Sequence, residues 1–381
     1  MRLSRRAPGV CVVGVGASTQ GRHPGRTGND LSAEALVLAL DDAGLDRSAI
    51  DGLITCKVLR GAPGDGLDVP LGKLLGISPA YSATLDYGTC NFSIHLAAMA
   101  VEAGLADTVG LTYGTVQGTL MGESGFAGLL TPEAPYGAID PMGYLCALMF
   151  QRHRARYGVT EEQLGAIAVA QHRWAQLNPL AVRGHKLTID QYLAEPYYIN
   201  PIRRHDVAPF DDGGVAMIVT RADRAPDART VPVDVLGIAE TTALRGHQLP
   251  DHLDREWIAD AADKVFADAG LERSDVDMVS IQDPASAWTM QMLEHFGFVG
   301  PGEALPFIAE GHTSPGGRLP VNTSGGHLAE SYMWGWLHTV EVVRQLRGEC
   351  GARQVPDAEV AIHAATMVGN KAAATIYGRR R

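Results

Sequence analysis

"DAGLDRSAID", Asp42 to Asp51, and "DAGLERSDVD", Asp268 to Asp277, are one phrase written twice, 226 positions apart in a chain of 381 residues. Each closes an amphipathic run: Ala35, Leu36, Ala39, Leu40 and Ala43 before the first, Ile258, Ala261, Ala262, Val265 and Ala269 before the second. Apolar residues at helical spacing that stop at Ala-Gly-Leu predict a helix ended by a C-terminal glycine. A short apolar strand follows each, "GLITC" (52–56) and "MVSIQ" (278–282). Ten aligned positions in matching helix–turn–strand units predict a duplicated α/β architecture rather than chance recurrence of a helix-stop phrase.

The duplication extends outward. "LDYGTCNFSIHLAAMAVEAG" (85–104) runs from a loop into an apolar helix and on to a strand near "DTVGLTYG"; "NTSGGHLAESYMWGWLHTVEVVRQLRG" (322–348) does the same before "AEVAIHAA". Each half therefore offers one loop-to-helix junction, and helix N-termini carry unsatisfied N–H groups suited to an oxyanion. The expected boundaries are 1–114 plus 207–225 for the first half and 226–381 for the second. Residues 115–206 form a loop and helix insertion over the cleft, with a helical stretch near 142–177. "DDGGVAMIVT" (211–220) reads as a turn, made by Asp211 and Asp212, and then the edge of the first half's sheet.

The remaining composition limits the function classes. A formal charge of -11 argues against general nucleic-acid binding, which needs a basic face. Five cysteines stand far apart without a CxxC pair, which excludes a zinc ribbon and favours a reducing cytosol. No run reaches ~18 apolar residues, so a soluble cytoplasmic protein, off the membrane, is expected. "VVGVGAST" (12–19) begins like a dinucleotide fingerprint, but Thr19 takes the third glycine place and a polar loop comes next, where the phosphate-binding helix should start.

Two α/β halves, the Gly325–Gly326 loop and the acid-Gly-Gly phrase at 212–214 together resemble the thiolase superfamily, most closely its sterol-carrier/lipid-transfer-protein branch and the steroid side-chain aldolases. The resemblance implies a five-layer α-β-α-β-α fold that dimerises with a second copy. It also implies a CoA or carrier-protein thioester substrate, no bound cofactor or metal, and a separate zinc-ribbon/OB-fold (DUF35-type) partner. Tyr332 falls where condensing thiolases keep a catalytic histidine, with Glu330 two residues before it. Gln282 and Asp283 fall where such aldolases carry a Tyr-Asp pair. Because glutamine cannot act as a base, Gln282 leaves one expected tyrosine unfilled. The nucleophile column falls near Gly88 and not on Cys90, and His363 stands near the place of a second cysteine.

The residues themselves allow several roles. Tyr332 is a proton-transfer group or a packed aromatic. Asp283, after a strand, is a cleft carboxylate or a helix N-cap. His327 and Glu330, three apart on an expected helix, share one face. His363 is a cleft-lining histidine. Cys90, at a helix N-terminus, is a nucleophile or a small buried hydrophobe, and His95 is a satisfied histidine. Gly88, Gly325 and Gly326 would supply backbone N–H groups to an oxyanion. The reading that joins these is retro-aldol or aldol chemistry on a β-hydroxyacyl thioester. A Cys90-dependent acyltransferase and a non-catalytic thiolase-like scaffold are the alternatives.

Overall fold

The twice-written phrase builds the same object twice. In a computed structural model, which describes residues 9–58, 61–86, 89–124, 141–242, 256–367 and 371–380, each copy ends a helix at a left-handed glycine, Gly44 (φ 69°) and Gly270 (φ 68°). Each then makes a 3-10 turn and starts a strand. The acidic positions explain the recurrence. Asp42 Oδ2 accepts from the Val15 N–H at 2.9 Å, and Asp268 Oδ2 accepts from Ile238 N–H at 3.0 Å. Asp51 likewise receives the N–H groups of Asp107 and Thr108, while Asp277 receives those of Glu359 and Val360. Each carboxylate fixes a neighbouring strand, so the phrase carries fold rather than chemistry.

The strands are β1 (Val10–Ala17), β2 (Gly52–Cys56), β3 (Tyr81–Leu85), β4 (Thr108–Thr115), β5 (Tyr197–Ile199), β6 (Ile202–Arg203), β7 (Gly213–Arg221), β8 (Val233–Thr242), β9 (Met278–Ile281), β10 (Val360–Met367) and β11 (Lys371–Arg379). The helices are α1 (Gly28–Ala43), α2 (Asp68–Leu75), α3 (Cys90–Glu102), α4 (Gln117–Ser124), α5 (Pro141–Tyr157), α6 (Glu161–Ala175), α7 (Ile189–Ala194), α8 (Glu256–Ala269), α9 (Ser286–His295), α10 (Ala304–Ala309), α11 (Gly326–Ala329) and α12 (Trp336–Arg347).

Nine strands hydrogen-bond in the order β3-β2-β4-β7-β1-β8-β11-β10-β9. The order is a palindrome of roles about the short antiparallel β1–β8 contact: β1, β7, β4, β2 and β3 on one side answer β8, β11, β10, β9 and the Val321 bridge to Val279 on the other. Buried side chains of α3 and α12 share one apolar layer with both half-sheets. Helices α1 and α2 cover the outer face of the first, and α8 and α9 that of the second. This is the expected five-layer α-β-α-β-α arrangement. The return strand corrects one expectation. β7 lies between β4 and β1, inside the sheet, because the apolar run Val215–Val219 is buried on both faces. After the polar loop that follows β1, α1 starts only at Gly28, capped by Thr27. Among the described residues no helix is long and apolar enough to cross a membrane.

Candidate active site

The Gly325–Gly326 loop does not open one long helix. Asn322, itself left-handed (φ 52°), locks onto the end of β9: its Oδ1 accepts from Ile281 N–H at 2.6 Å and its Nδ2 donates to Ile281 O at 3.0 Å. Gly325 (φ 107°) sends its N–H back to Asn322 O at 2.8 Å, so that amide already has an acceptor. One helical turn, α11, comes next. The chain then leaves the helix, turns through left-handed Trp334 (φ 49°) and Gly335 (φ 80°), and starts α12. Tyr332 therefore stands in the corner between two helices, which corrects its expected place on a helix.

The corner wraps a buried carboxylate. Asp283 is fully buried, and its Oδ1 accepts from His327 N–H at 2.8 Å and lies 3.1 Å from His338 Nε2. It is not an N-cap, because α9 begins at Ser286 after Ala285. A Cβ on Gly326 would sit 2.5 Å from Asp283 Oδ2, so only glycine lets the backbone press against that oxygen. Asp283 Oδ2 has no hydrogen-bond partner among the described residues.

Three imidazoles gather round it. His327 and His338 meet edge to face at 4.5 Å, and His338 stacks on His363 at 5.5 Å with 12° between planes. Gly335 N–H donates to His327 Nε2 at 2.9 Å, which fixes the proton of the neutral ring on Nδ1, 4.0 Å from Asp283 Oδ1. His338 Nε2 faces the carboxylate and so carries a proton, leaving its Nδ1 without a partner among the described residues. His363 lies in the middle of β10; its Nδ1 is 2.9 Å from Thr339 Oγ1, and its Nε2 has no partner among the described residues. Burial holds both His327 and His363 well below the ordinary imidazole range, with His338 adding to it, so both rings are neutral. Gln282 closes the group, its Oε1 buried beside Gly335 and without a partner among the described residues.

At the rim, the half-buried Tyr332 ring packs on His327 at 4.7 Å between Phe210 (5.7 Å) and Trp334 (6.3 Å). Ser331 Oγ donates to Asp211 Oδ2 at 3.2 Å, and Asp212 accepts from the N–H groups of His23 and Thr119. The two acids thus clamp loops around the corner instead of only making a turn. Glu330 does not share an open face with His327; both are buried. Glu330 Oε1 accepts from Asn178 Nδ2 at 3.0 Å, and burial, with the Glu341 carboxylate next, raises its carboxyl to about 7.

The first-half junction is of another kind. Thr89 precedes α3, and Cys90, fully buried, puts its Sγ 3.7 Å from Met217 Sδ. Burial pushes its thiol well above the ordinary range. Cys90 N–H donates to Trp334 O at 3.4 Å, tying the two junctions together. His95 is satisfied as expected, by Glu240 at 2.7 Å and Thr375 at 2.9 Å. Gly88 lies outside the described residues. The structure thus brings Tyr332, Asp283, His327, His363 and Gln282 together, sets Gly325 and Gly326 in the wall, and puts Cys90 in the apolar layer. Sequence reasoning missed His338. Its only signal was a histidine one turn into the helix beyond the Gly-Gly loop.

A family model described as thiolase C-terminal domain-like matches residues 239–379. The chain is 32% identical over 359 residues to a 17-hydroxy-3-oxo-4-pregnene-20-carboxyl-CoA lyase of Mycobacterium tuberculosis, covering 89% of this chain and 92% of that one. It is 29% identical to a steroid side-chain-cleaving aldolase of Thermomonospora curvata, over 90% and 91% of the two chains. The solved structure of an Ltp2-ChsH2(DUF35) aldolase superposes with a TM-score of 0.88 at 26% identity, covering 98% of this chain and 99% of that one.

Proposed function

The chain belongs to the thiolase superfamily, and from that premise we propose that it is a carbon–carbon lyase, a retro-aldolase acting on β-hydroxyacyl-CoA thioesters with a bulky, steroid-like β-carbon. The observation that carries this reading is the Asp283–His338 pair, sealed under Tyr332, in a protein whose junction cysteine is buried against Met217. A condensing thiolase needs a thiolate at that cysteine. A retro-aldolase needs only proton transfer and a place for an enolate. The name of the M. tuberculosis relative puts a hydroxyl on the carbon β to its thioester carbonyl, the arrangement such a cleavage requires.

In the reaction, the β-hydroxyl loses its proton and its O–H electron pair becomes the new C=O. The Cα–Cβ pair moves onto Cα and out to the thioester oxygen as an enolate, and a proton returns to Cα. A carbonyl compound and a shortened acyl thioester leave, with no net redox change. Tyr332, at the rim, exchanges protons with the substrate. A phenol keeps its proton near neutral pH and so serves as the acid toward the substrate, and the imidazole lone pair open to accept a proton in the cluster is Nδ1 of His338. The Asp283 carboxylate holds His338 in one tautomer and stabilises it when it becomes an imidazolium. Gln282 is a side-chain donor for the enolate oxygen, and Gly325 and Gly326 shape its pocket.

The likeness to the Ltp2-ChsH2(DUF35) aldolase supports a DUF35-type partner acting in trans. The open edge of β3, whose side chains are partly exposed, supports a homodimer through that strand. Turnover of a panel of β-hydroxyacyl-CoA thioesters, with and without a DUF35-type partner, tests the reading in wild type, Tyr332→Phe and Cys90→Ala. Carbonyl release should fall by about 10²–10⁴ in Tyr332→Phe and persist in Cys90→Ala. The opposite pattern would make this a Cys90-dependent acyltransferase, and no release from any variant would leave a scaffold.

A further inference from the structure

Behind the corner, on α6, a loop and a 3-10 turn, three other histidines converge: the ligating atoms of His172, His185 and His205 all lie within 4.8 Å of one another. Their hydrogen bonds carry the argument. His172 Nδ1 is 2.9 Å from the carbonyl oxygen of His185, which can only accept, so Nδ1 bears the proton and Nε2 a lone pair. His205 Nε2 is 3.0 Å from the Glu195 carboxylate, so Nε2 bears the proton and Nδ1 a lone pair. Those two lone pairs face each other at 3.1 Å. Two neutral imidazoles in these tautomers repel unless something positive lies between them. Moving either proton to relieve the clash would turn a lone pair onto a carbonyl or a carboxylate.

We propose that His172, His185 and His205 bind a divalent transition-metal ion, zinc by their chemistry. Three imidazoles suit zinc and its neighbours in the first row. Zinc–nitrogen bonds of about 2.0–2.1 Å in a tetrahedron put ligand atoms about 3.3 Å apart, close to the 3.1 Å between His172 Nε2 and His205 Nδ1. The second ring nitrogens of His172 and His205 already meet a backbone carbonyl and a carboxylate, the outer partners that orient ligating histidines. Glu195 keeps Oε2 buried and unpartnered among the described residues. A proton shared between the two lone pairs is the competing occupant, and metal uptake tells the two apart. His185 is the least buried of the three and supplies the third ligand by a small movement, leaving the fourth position to water or a further group.

The ion would be felt at the corner. Val182 and Arg183 donate their N–H groups to Glu330 O and Ala329 O, both at 2.9 Å, and Arg183 Nη1 donates to Leu328 O at 3.0 Å. The segment carrying His185 is thus laced to the loop before Tyr332. The test is cobalt and zinc titration of the chelator-stripped full chain, reading bound metal by equilibrium dialysis and geometry by the visible cobalt spectrum. One equivalent with the intense bands of tetrahedral cobalt is expected. His185→Ala, a change near the surface that leaves the fold intact, should abolish those bands, and Glu195→Gln should weaken binding about 10–100-fold. Failure to take up one equivalent would overturn the site. So would weak octahedral bands, or uptake unchanged in both variants.

Discussion

Glu330→Gln should make the stability of this protein less sensitive to pH, by an amount the surroundings of the carboxyl set. Its Oε1 accepts from Asn178, its Oε2 is buried without a partner among the described residues, and Glu341 adds negative charge nearby. Burial first and the Glu341 charge next raise the folded carboxyl from 4.5 to about 7, against the lowering by the Asn178 hydrogen bond. Below about pH 4.5 the group is protonated in both folded and unfolded chains and the neutral form is accommodated in full. Between about 4.5 and 7 the unfolded chain releases the proton and the folded chain keeps it, so stability falls as pH rises, by about 1.4 kcal/mol per pH unit. Above about 7 the loss levels off at about 3 kcal/mol. Glutamine keeps the acceptor for Asn178 and cannot ionise; any penalty for its unpaired NH₂, about 1–3 kcal/mol, is the same at every pH. The quantity to read is therefore a change in a difference. Denaturant unfolding of both proteins from about pH 4.5 to 8 should show the variant gaining about 3 kcal/mol on wild type across that range. A gap constant to within about 1 kcal/mol would mean that Glu330 ionises normally, and the description of its buried pocket would be wrong.

Other substitutions probe the corner. Asp283→Asn keeps an acceptor for the His327 amide and His338 but removes the charge. Turnover should drop about 10²–10³-fold with KM little changed. Wild-type turnover would put Asp283 outside the proton path. Gly326→Ala places a Cβ 2.5 Å from Asp283 Oδ2 and 2.7 Å from Asn322 Nδ2 at φ 59°, so a loss of about 1–3 kcal/mol in stability and a large loss of activity are expected. Wild-type melting and turnover would show that the carboxylate has room to move. Cys90, fully buried with its thiol raised, should react with iodoacetamide only on unfolding. Native labelling at neutral pH, located by peptide mass, would return the cysteine to the chemistry.

The fold could be read from the sequence because the repeat's charged positions do the same work twice. Asp42 with Asp268, and Asp51 with Asp277, hold strands in matching places, and a helix-stop glycine leaves little choice for the next element. The layer helices were legible for the same local reason, since Leu36, Ala39 and Leu40 recur on one buried face. The place of β7 was not. A strand that returns after a long insertion can join either edge or the middle of a sheet, and only the burial of both its faces decides.

The site was half legible for a different reason. A Gly-Gly loop with His327, Glu330 and Tyr332 advertises itself, but helical periodicity then misplaces Tyr332, because the helix breaks after one turn. The break rests on Trp334, a bulky residue in the left-handed region that no local preference predicts. That unfavourable turn has two effects. Its carbonyl accepts from Cys90 N–H at the start of α3, occupying an amide at the helix end that would otherwise stabilise a thiolate. Its successor, Gly335, donates to His327 Nε2 and leaves space for His363 and Gln282. His338, on the first turn of the restarted helix, then reaches Asp283 across a distance no sequence spacing encodes. One strained corner therefore both occupies the Cys90 amide of the first half and assembles the buried Asp283–His338 cluster of the second. Strain of about 1–3 kcal/mol at a single residue is the kind that persists where the surrounding structure and the chemistry both depend on it.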